Sequence, residues 1–174
     1  MPFSTWTWSG GRRFSLKDLF IHSLSDIYGA EKQMTKSLPK MARASTGPGL
    51  RSAFEQHLEE TQDQIERIDQ IVETTGIKLK RIKCVAMEGL VEEGQEQIDE
   101  IEKGPVLDTA LIAAAQKVEH YEIASYGSLI ALAKQLGETA AVKLLGDTLK
   151  EEKATDEKLS LLAEEKVAAE ALGK

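Results

Sequence analysis

Residues 111–133 read Leu-Ile-Ala-Ala-Ala-Gln-Lys-Val-Glu-His-Tyr-Glu-Ile-Ala-Ser-Tyr-Gly-Ser-Leu-Ile-Ala-Leu-Ala. Within the run, Leu111, Ala115, Val118, Tyr126, Leu129 and Ala133 recur three or four positions apart, the spacing that lines up one face of a helix. Glu122 falls in that row where an apolar residue is due, and Glu119 stands one turn earlier beside it. Gly104-Pro105 opens the segment and Gly137 closes it, as expected of proline in a first turn and glycine past a last one. The stretch therefore predicts a long helix that turns two carboxylates towards the interior.

The neighbouring segments repeat the pattern. From about Glu138 a further helix carries Leu144, Leu145, Leu149, Leu159 and Leu162 and fades after Glu165; the row Leu145, Leu149, Glu152, Asp156, Leu159 again places acids inward. Towards the N-terminus, Ser15 with Asp18 forms a helix-start signal. The apolar row that follows, Leu16, Leu19, Phe20, Leu24, Ile27, Met34, Leu38 and Met41, has Glu31 set into it; Pro39 is expected to kink this helix or end its regular part. After Gly47-Pro48-Gly49 comes a second helix with Leu50, Phe54, Leu58, Ile65, Ile68 and Val72 on its apolar face, His57 and Glu60 on its flank, and Gly76 at its end. Residues 77–104 are too many for a hairpin turn and read as a crossover with a short helix of its own. The order of hairpin, long crossover, hairpin predicts an all-α fold, a four-helix bundle of ferritin-like connectivity.

Composition agrees with that class. The chain has 174 residues, the size of one domain, and Ala, Glu, Lys, Leu and Arg make up nearly half of it, while aromatics are 5%. We expect one bundle over 15–166, an N-terminal arm over 1–14 holding both tryptophans, Trp6 and Trp8, that is either flexible or docked on a neighbour, and a C-terminal tail over 167–174. A net charge of −7 argues against nucleic acid as a partner. No apolar run approaches the roughly 20 residues of a membrane span, and no secretory signal is evident, so no membrane partner is expected. The one cysteine, Cys84, reads as a small buried thiol and suits a reducing, cytoplasmic compartment.

Depth within the hairpins tests whether the inward acids meet. Glu122 lies fifteen residues before Gly137 and Glu152 fifteen after it, so both sit roughly 22 Å from that turn. Glu31 and Glu60 match less well about Pro48, by about 7 Å. Several ionised carboxylates cannot share a dry core without compensation, and no Lys or Arg stands on these rows. The economical counter-charge is a pair of metal cations held by carboxylates and one imidazole; the alternative on spacing alone is that the acids are partly exposed and solvated on a short or dimeric bundle. His22 and His120 read as surface residues. Tyr126 reads either as a core tyrosine or as a group that orients a ligand or relays an electron.

Four ordered blocks, Leu-Ser-Asp-Ile-Tyr-Gly-Ala-Glu-Lys-Gln (24–33), His-Leu-Glu-Glu-Thr (57–61), Val-Glu-His-Tyr-Glu-Ile-Ala-Ser-Tyr (118–126) and Glu-Glu-Lys-Ala-Thr-Asp (151–156), closely resemble the bacterial YciF proteins, a ferritin-like, stress-associated group. The likeness spans roughly residues 16–165. It implies a homodimer and a di-metal centre at Glu31, Glu60, Glu119, Glu122 and Glu152, with His57 and Asp156 in reserve, and it leaves the activity of the group open. Oxygen-rich ligation without sulfur favours iron, or alternatively manganese, over structural zinc. The expected chemistry is oxidation of ferrous iron by a small oxidant, dioxygen or peroxide, in a stress response; the alternative is a non-catalytic stress or interaction protein with a structural or vestigial metal centre.

Overall fold

The computed structural model describes residues 14–171, with side chains described through residue 165. The remainder, including the predicted arm apart from Phe14, lies outside the described residues. Five helices follow one another: α1 (Leu16–Ala44), α2 (Pro48–Thr75), α3 (Val85–Glu100), α4 (Pro105–Leu136) and α5 (Thr139–Ala171). No strand occurs among the described residues. The fold is the all-α bundle that the sequence predicts, and α5 runs on past residue 166 to Ala171.

Local signals set the boundaries. Ser15 caps α1 by accepting from the Asp18 amide, while the Asp18 carboxylate accepts from the Ser15 amide in return. The helix passes through Pro39 and ends at Ala44. Gly47 precedes Pro48 at the first position of α2, and α2 and α4 both stop at glycines in the left-handed region, Gly76 (φ 65°) and Gly137 (φ 75°). The turn between α1 and α2 is tied down by Asp108 of α4, buried, whose carboxylate accepts from the Thr46 amide, the Thr46 hydroxyl and the Gly47 amide, each at 2.8 Å.

α1 packs on α2 and α4, and α5 closes the ring by packing on α2 and α4. The core is built from Phe20, Leu24, Ile27 and Met34 of α1, Leu50, Phe54, Ile68 and Ile71 of α2, Leu111, Val118 and Leu129 of α4, and Leu145 and Leu159 of α5. Two details differ from the periodicity reading. Leu16 and Leu19 stand exposed, because the row that meets the bundle begins at Phe20. On α2 the buried row is Leu50, Phe54, His57, Thr61, Gln64, Ile68 and Ile71, so Leu58, Ile65 and Val72 form its shoulder and not its centre. Three consecutive polar members in that row hid it.

The crossover runs alongside α1 in the same direction. The Lys80 amide donates to the Ser25 hydroxyl, Ile82 lies against Gly29, and the side-chain amide of Gln33 grips both backbone groups of Cys84. The Cys84 thiol is buried, caps α3 and lies 3.0 Å from the Tyr121 hydroxyl, which donates to Asp26. A Cβ on Gly29 would come within 2.7 Å of the Ile82 carbonyl oxygen, a backbone atom with little room to yield. Gly29→Ala should therefore lower stability by about 1–3 kcal/mol despite the better helix propensity of alanine. Thermal denaturation measures this, and a raised midpoint would show that the crossover is not tightly seated. No helix among the described residues is long and apolar enough to cross a membrane.

Candidate metal centre

The inward acids of the sequence rows converge. Glu31, Glu119, Glu122 and Glu152 are all at most 1% exposed, and His57 is 3% exposed. One ligating atom from each of His57, Glu119, Glu122 and Glu152 can be chosen so that all four lie within 4.8 Å of one another. Three helices contribute: α2 brings the imidazole, α4 two carboxylates three residues apart, and α5 one. Glu31 joins the same electrostatic neighbourhood from α1, its Oε1 accepting a hydrogen bond from the Tyr126 hydroxyl. Glu60 and Asp156 are not members of that group of four: both are half-buried beside it, Glu60 accepting from Gln56 at 2.7 Å and lying 3.7 Å from His57 Nδ1, and Asp156 Oδ1, buried and without a hydrogen-bond partner, lying 3.5 Å from Nε2 of the exposed His120.

His57 spans the boundary between the two sets. Its Nε2 lies 3.2 Å from Glu119 Oε1 within the centre and its Nδ1 3.7 Å from Glu60 Oε2 outside it, yet neither ring nitrogen has the geometry of a hydrogen bond. Proximity without alignment suits nitrogens set to bind something other than the carboxylates beside them.

What marks the centre is the number of buried polar atoms without a partner. Both oxygens of Glu122 and of Glu152, Glu31 Oε2, Glu119 Oε2 and both nitrogens of His57 are in that state. Natural interiors leave few such atoms, because each costs about 1–3 kcal/mol. The electrostatics agree. Burial, opposed by the Tyr126 hydrogen bond and the His57 charge, pushes the Glu31 carboxyl up to about 7. Burial and then the neighbouring carboxylates hold Glu122 and Glu152 well above the ordinary range. Burial alone would lower His57, but Glu119, Glu60 and Glu152 outweigh it and raise the imidazole, which in turn lowers Glu60.

A polar layer adjoins the centre, which the hydrophobic pattern did not reveal. On α2, Thr61 donates to the His57 carbonyl and Gln64 is fully buried, its side-chain amide 3.3 Å from Glu151. Arg67 closes this layer with a two-pronged ion pair to Glu151 and a bond to Thr148. The unbroken spacing of Leu50, Phe54, His57, Thr61, Gln64, Ile68 and Ile71 is the signal that could have found it.

The donor set fits a metal. The buried imidazole of His57 and the carboxylates of Glu119, Glu122 and Glu152, with Glu31 nearby, supply mostly hard oxygen donors with little nitrogen and no sulfur, and a divalent cation would offset their charge.

Comparison with known proteins gives the chain its relatives. The model of the domain of unknown function DUF892 matches residues 15–172. Protein YciF of Escherichia coli (strain K12) is 63% identical over 150 residues, which are 86% of this chain and 90% of that protein. The crystal structure of the E. coli stress protein YciF superposes with a TM-score of 0.87 at 60% identity, covering 90% of this chain and 99% of the other. The solved structure of YcfI from Rhodopseudomonas palustris gives 0.82 at 47% identity, covering 87% and 98%. With the family model matching most of the chain and a relative this near, the chain belongs to the DUF892 family as a YciF-like protein.

Proposed function

We propose that this protein is a ferritin-like metal protein whose bundle holds two cations, iron or alternatively manganese, and that it oxidises ferrous iron with dioxygen or peroxide as part of a bacterial stress response. The observation that carries the reading is the cluster of His57, Glu119, Glu122 and Glu152, with Glu31 beside it, buried and largely unpartnered. Glu122, with both oxygens free and carboxylates of α1 and α5 among its nearest charges, is suited to lie between the two cations. His57, Glu119, Glu152 and Glu31 would complete the set. Bound iron would supply the electrons that reduce the oxidant. The chain's own part is to hold the carboxylates in a dry interior, where those kept protonated without metal would give up their protons as the cations bind. The same proposal sets the protein in the cytoplasm, in keeping with a single buried cysteine, and takes the homodimer from the family resemblance.

The full burial of Glu122 and Glu152 favours one competing reading, a structural cation that locks the bundle without turnover. One experiment separates the two. Metal-free protein is loaded anaerobically with Fe(II), its metal content measured, and dioxygen or peroxide then added while Fe(III) absorbance is followed. Two iron ions per chain and oxidation faster than in buffer support the proposal. Uptake that raises the melting temperature without faster oxidation selects the structural cation, and absence of uptake removes both.

A further inference from the structure

Glu31 differs from the other carboxylates of the centre in what engages it: an uncharged tyrosine hydroxyl holds one of its oxygens, whereas Glu119 Oε1 faces the His57 imidazole at 3.2 Å and Glu122 and Glu152 have no partner on either oxygen. The Tyr126 hydroxyl, on a side chain with no exposed surface, donates to Glu31 Oε1, leaving Oε2 as the oxygen without a partner. The compact group of four ligating atoms within 4.8 Å is complete without Glu31, since its members come from α2, α4 and α5. Tyr126 lies one turn beyond Glu122 on α4, so its hydroxyl reaches across the bundle to α1 from the helix that also carries Glu119 and Glu122.

We infer that the two cation positions are unequal and fill in order, and that Tyr126 is a positioning residue for the second. The inference rests on the two-cation reading given above. The first position uses His57, Glu119, Glu122 and Glu152. The second would use Glu31 with the remaining oxygen of Glu122, and there the tyrosine restricts Glu31 to a single donor atom, Oε2, held in one orientation. Partners that orient a metal ligand in this way contribute roughly 10–100-fold to metal affinity.

The test uses Mn(II) as the probe. Metal-free full-length protein is titrated while free Mn(II) is read by electron paramagnetic resonance, which requires no turnover. The parent protein is expected to bind two ions in two separable steps. Tyr126→Phe keeps the ring and removes only the hydroxyl; it should leave the first step within twofold and weaken the second about tenfold or more. Glu31→Gln, which keeps an acceptor for Tyr126 but loses the charge, should abolish the second step and spare the first, and it provides an independent arm should Tyr126→Phe fold poorly. Two steps of indistinguishable affinity in the parent, or equal shifts of both steps in the variants, would overturn the inference while leaving a two-cation centre standing. No Mn(II) or Fe(II) uptake by the parent would instead remove the reading beneath it.

Discussion

Glu122→Gln protein should take up at most one cation per chain, and its metal-free form should be more stable than the parent. The two halves of this result have one cause. Glu122 is fully buried, neither of its oxygens has a partner, and Glu31, Glu152 and Glu119 surround it with like charge. Without metal, burial and the like charges make the Glu122 carboxyl take up a proton that the unfolded chain has released at neutral pH, which opposes folding, and the neutral amide of the same shape removes that penalty. Even a buried ion pair is often replaced by neutral residues of similar volume with no loss or with a gain of roughly 1–4 kcal/mol, and the like charges around Glu122 favour the same sign. For a chain of this size, about 2–4 °C in melting temperature accompanies each kcal/mol. With metal the order reverses, because the parent gains binding energy that the variant lacks, and the gain grows with free metal concentration. Thermal melts with and without Mn(II), together with metal analysis, measure both halves. A variant that binds two ions as tightly as the parent, or whose metal-free form is the less stable, would count against a centre built on Glu122.

The second large effect is a dependence of metal-free stability on pH that runs opposite to ordinary acid denaturation. Unfolded, the Glu31 carboxyl loses its proton near pH 4.5; folded, it keeps it to about 7. Between those values the native state holds a proton that the unfolded chain has released, so stability falls as pH rises. The fall from Glu31 alone is about 3 kcal/mol once the group is ionised. Glu122 and Glu152, raised in the same direction, deepen it. His57 acts with the same sign, since a raised imidazole contributes stability that is present below its ordinary pKa of 6.5 and is lost as pH climbs through its folded value. The metal-free protein should therefore melt highest near pH 5 and lose stability steadily towards pH 8, and Glu31→Gln should flatten the slope. Divalent metal should flatten or invert it in the parent, because ligands bind metal in their deprotonated forms. A metal-free melting temperature that rises from pH 5 to pH 8 would mean that these carboxyls are not held protonated in the native state.

Much of this was legible from spacing. Glu31, Glu122 and Glu152 each interrupt an apolar row of period near 3.6, and an interruption of that kind marks an inward acid whatever the tertiary details. The close depth match across the turn at Gly137 worked because α4 and α5 form a hairpin with a short turn, so residue counts translate into height. The α2 contribution was harder to read. Its inward row passes through His57, Thr61 and Gln64, and a search for apolar residues slides to the shoulder where Leu58 and Ile65 lie. Glu60, on that shoulder, lies 3.7 Å from His57 Nδ1 and outside the group of four ligating atoms. Asp108 escaped notice because its partners, Thr46 and Gly47, are some sixty positions away and only the folded chain brings them together. Gly29 is a similar case, since nothing local distinguishes it from any other helical glycine until the crossover is laid against it.

The seating of Cys84 makes the protein its own reporter. It is the only thiol in the chain, it is 1% exposed, and it sits where the segment after α2 is latched to Gln33 and Tyr121. A thiol reagent can reach it only when that latch lifts, so the labelling rate under native conditions counts openings of one particular region without any engineered probe. Burial also holds its pKa above the ordinary thiol range, which slows reaction further and keeps background labelling low.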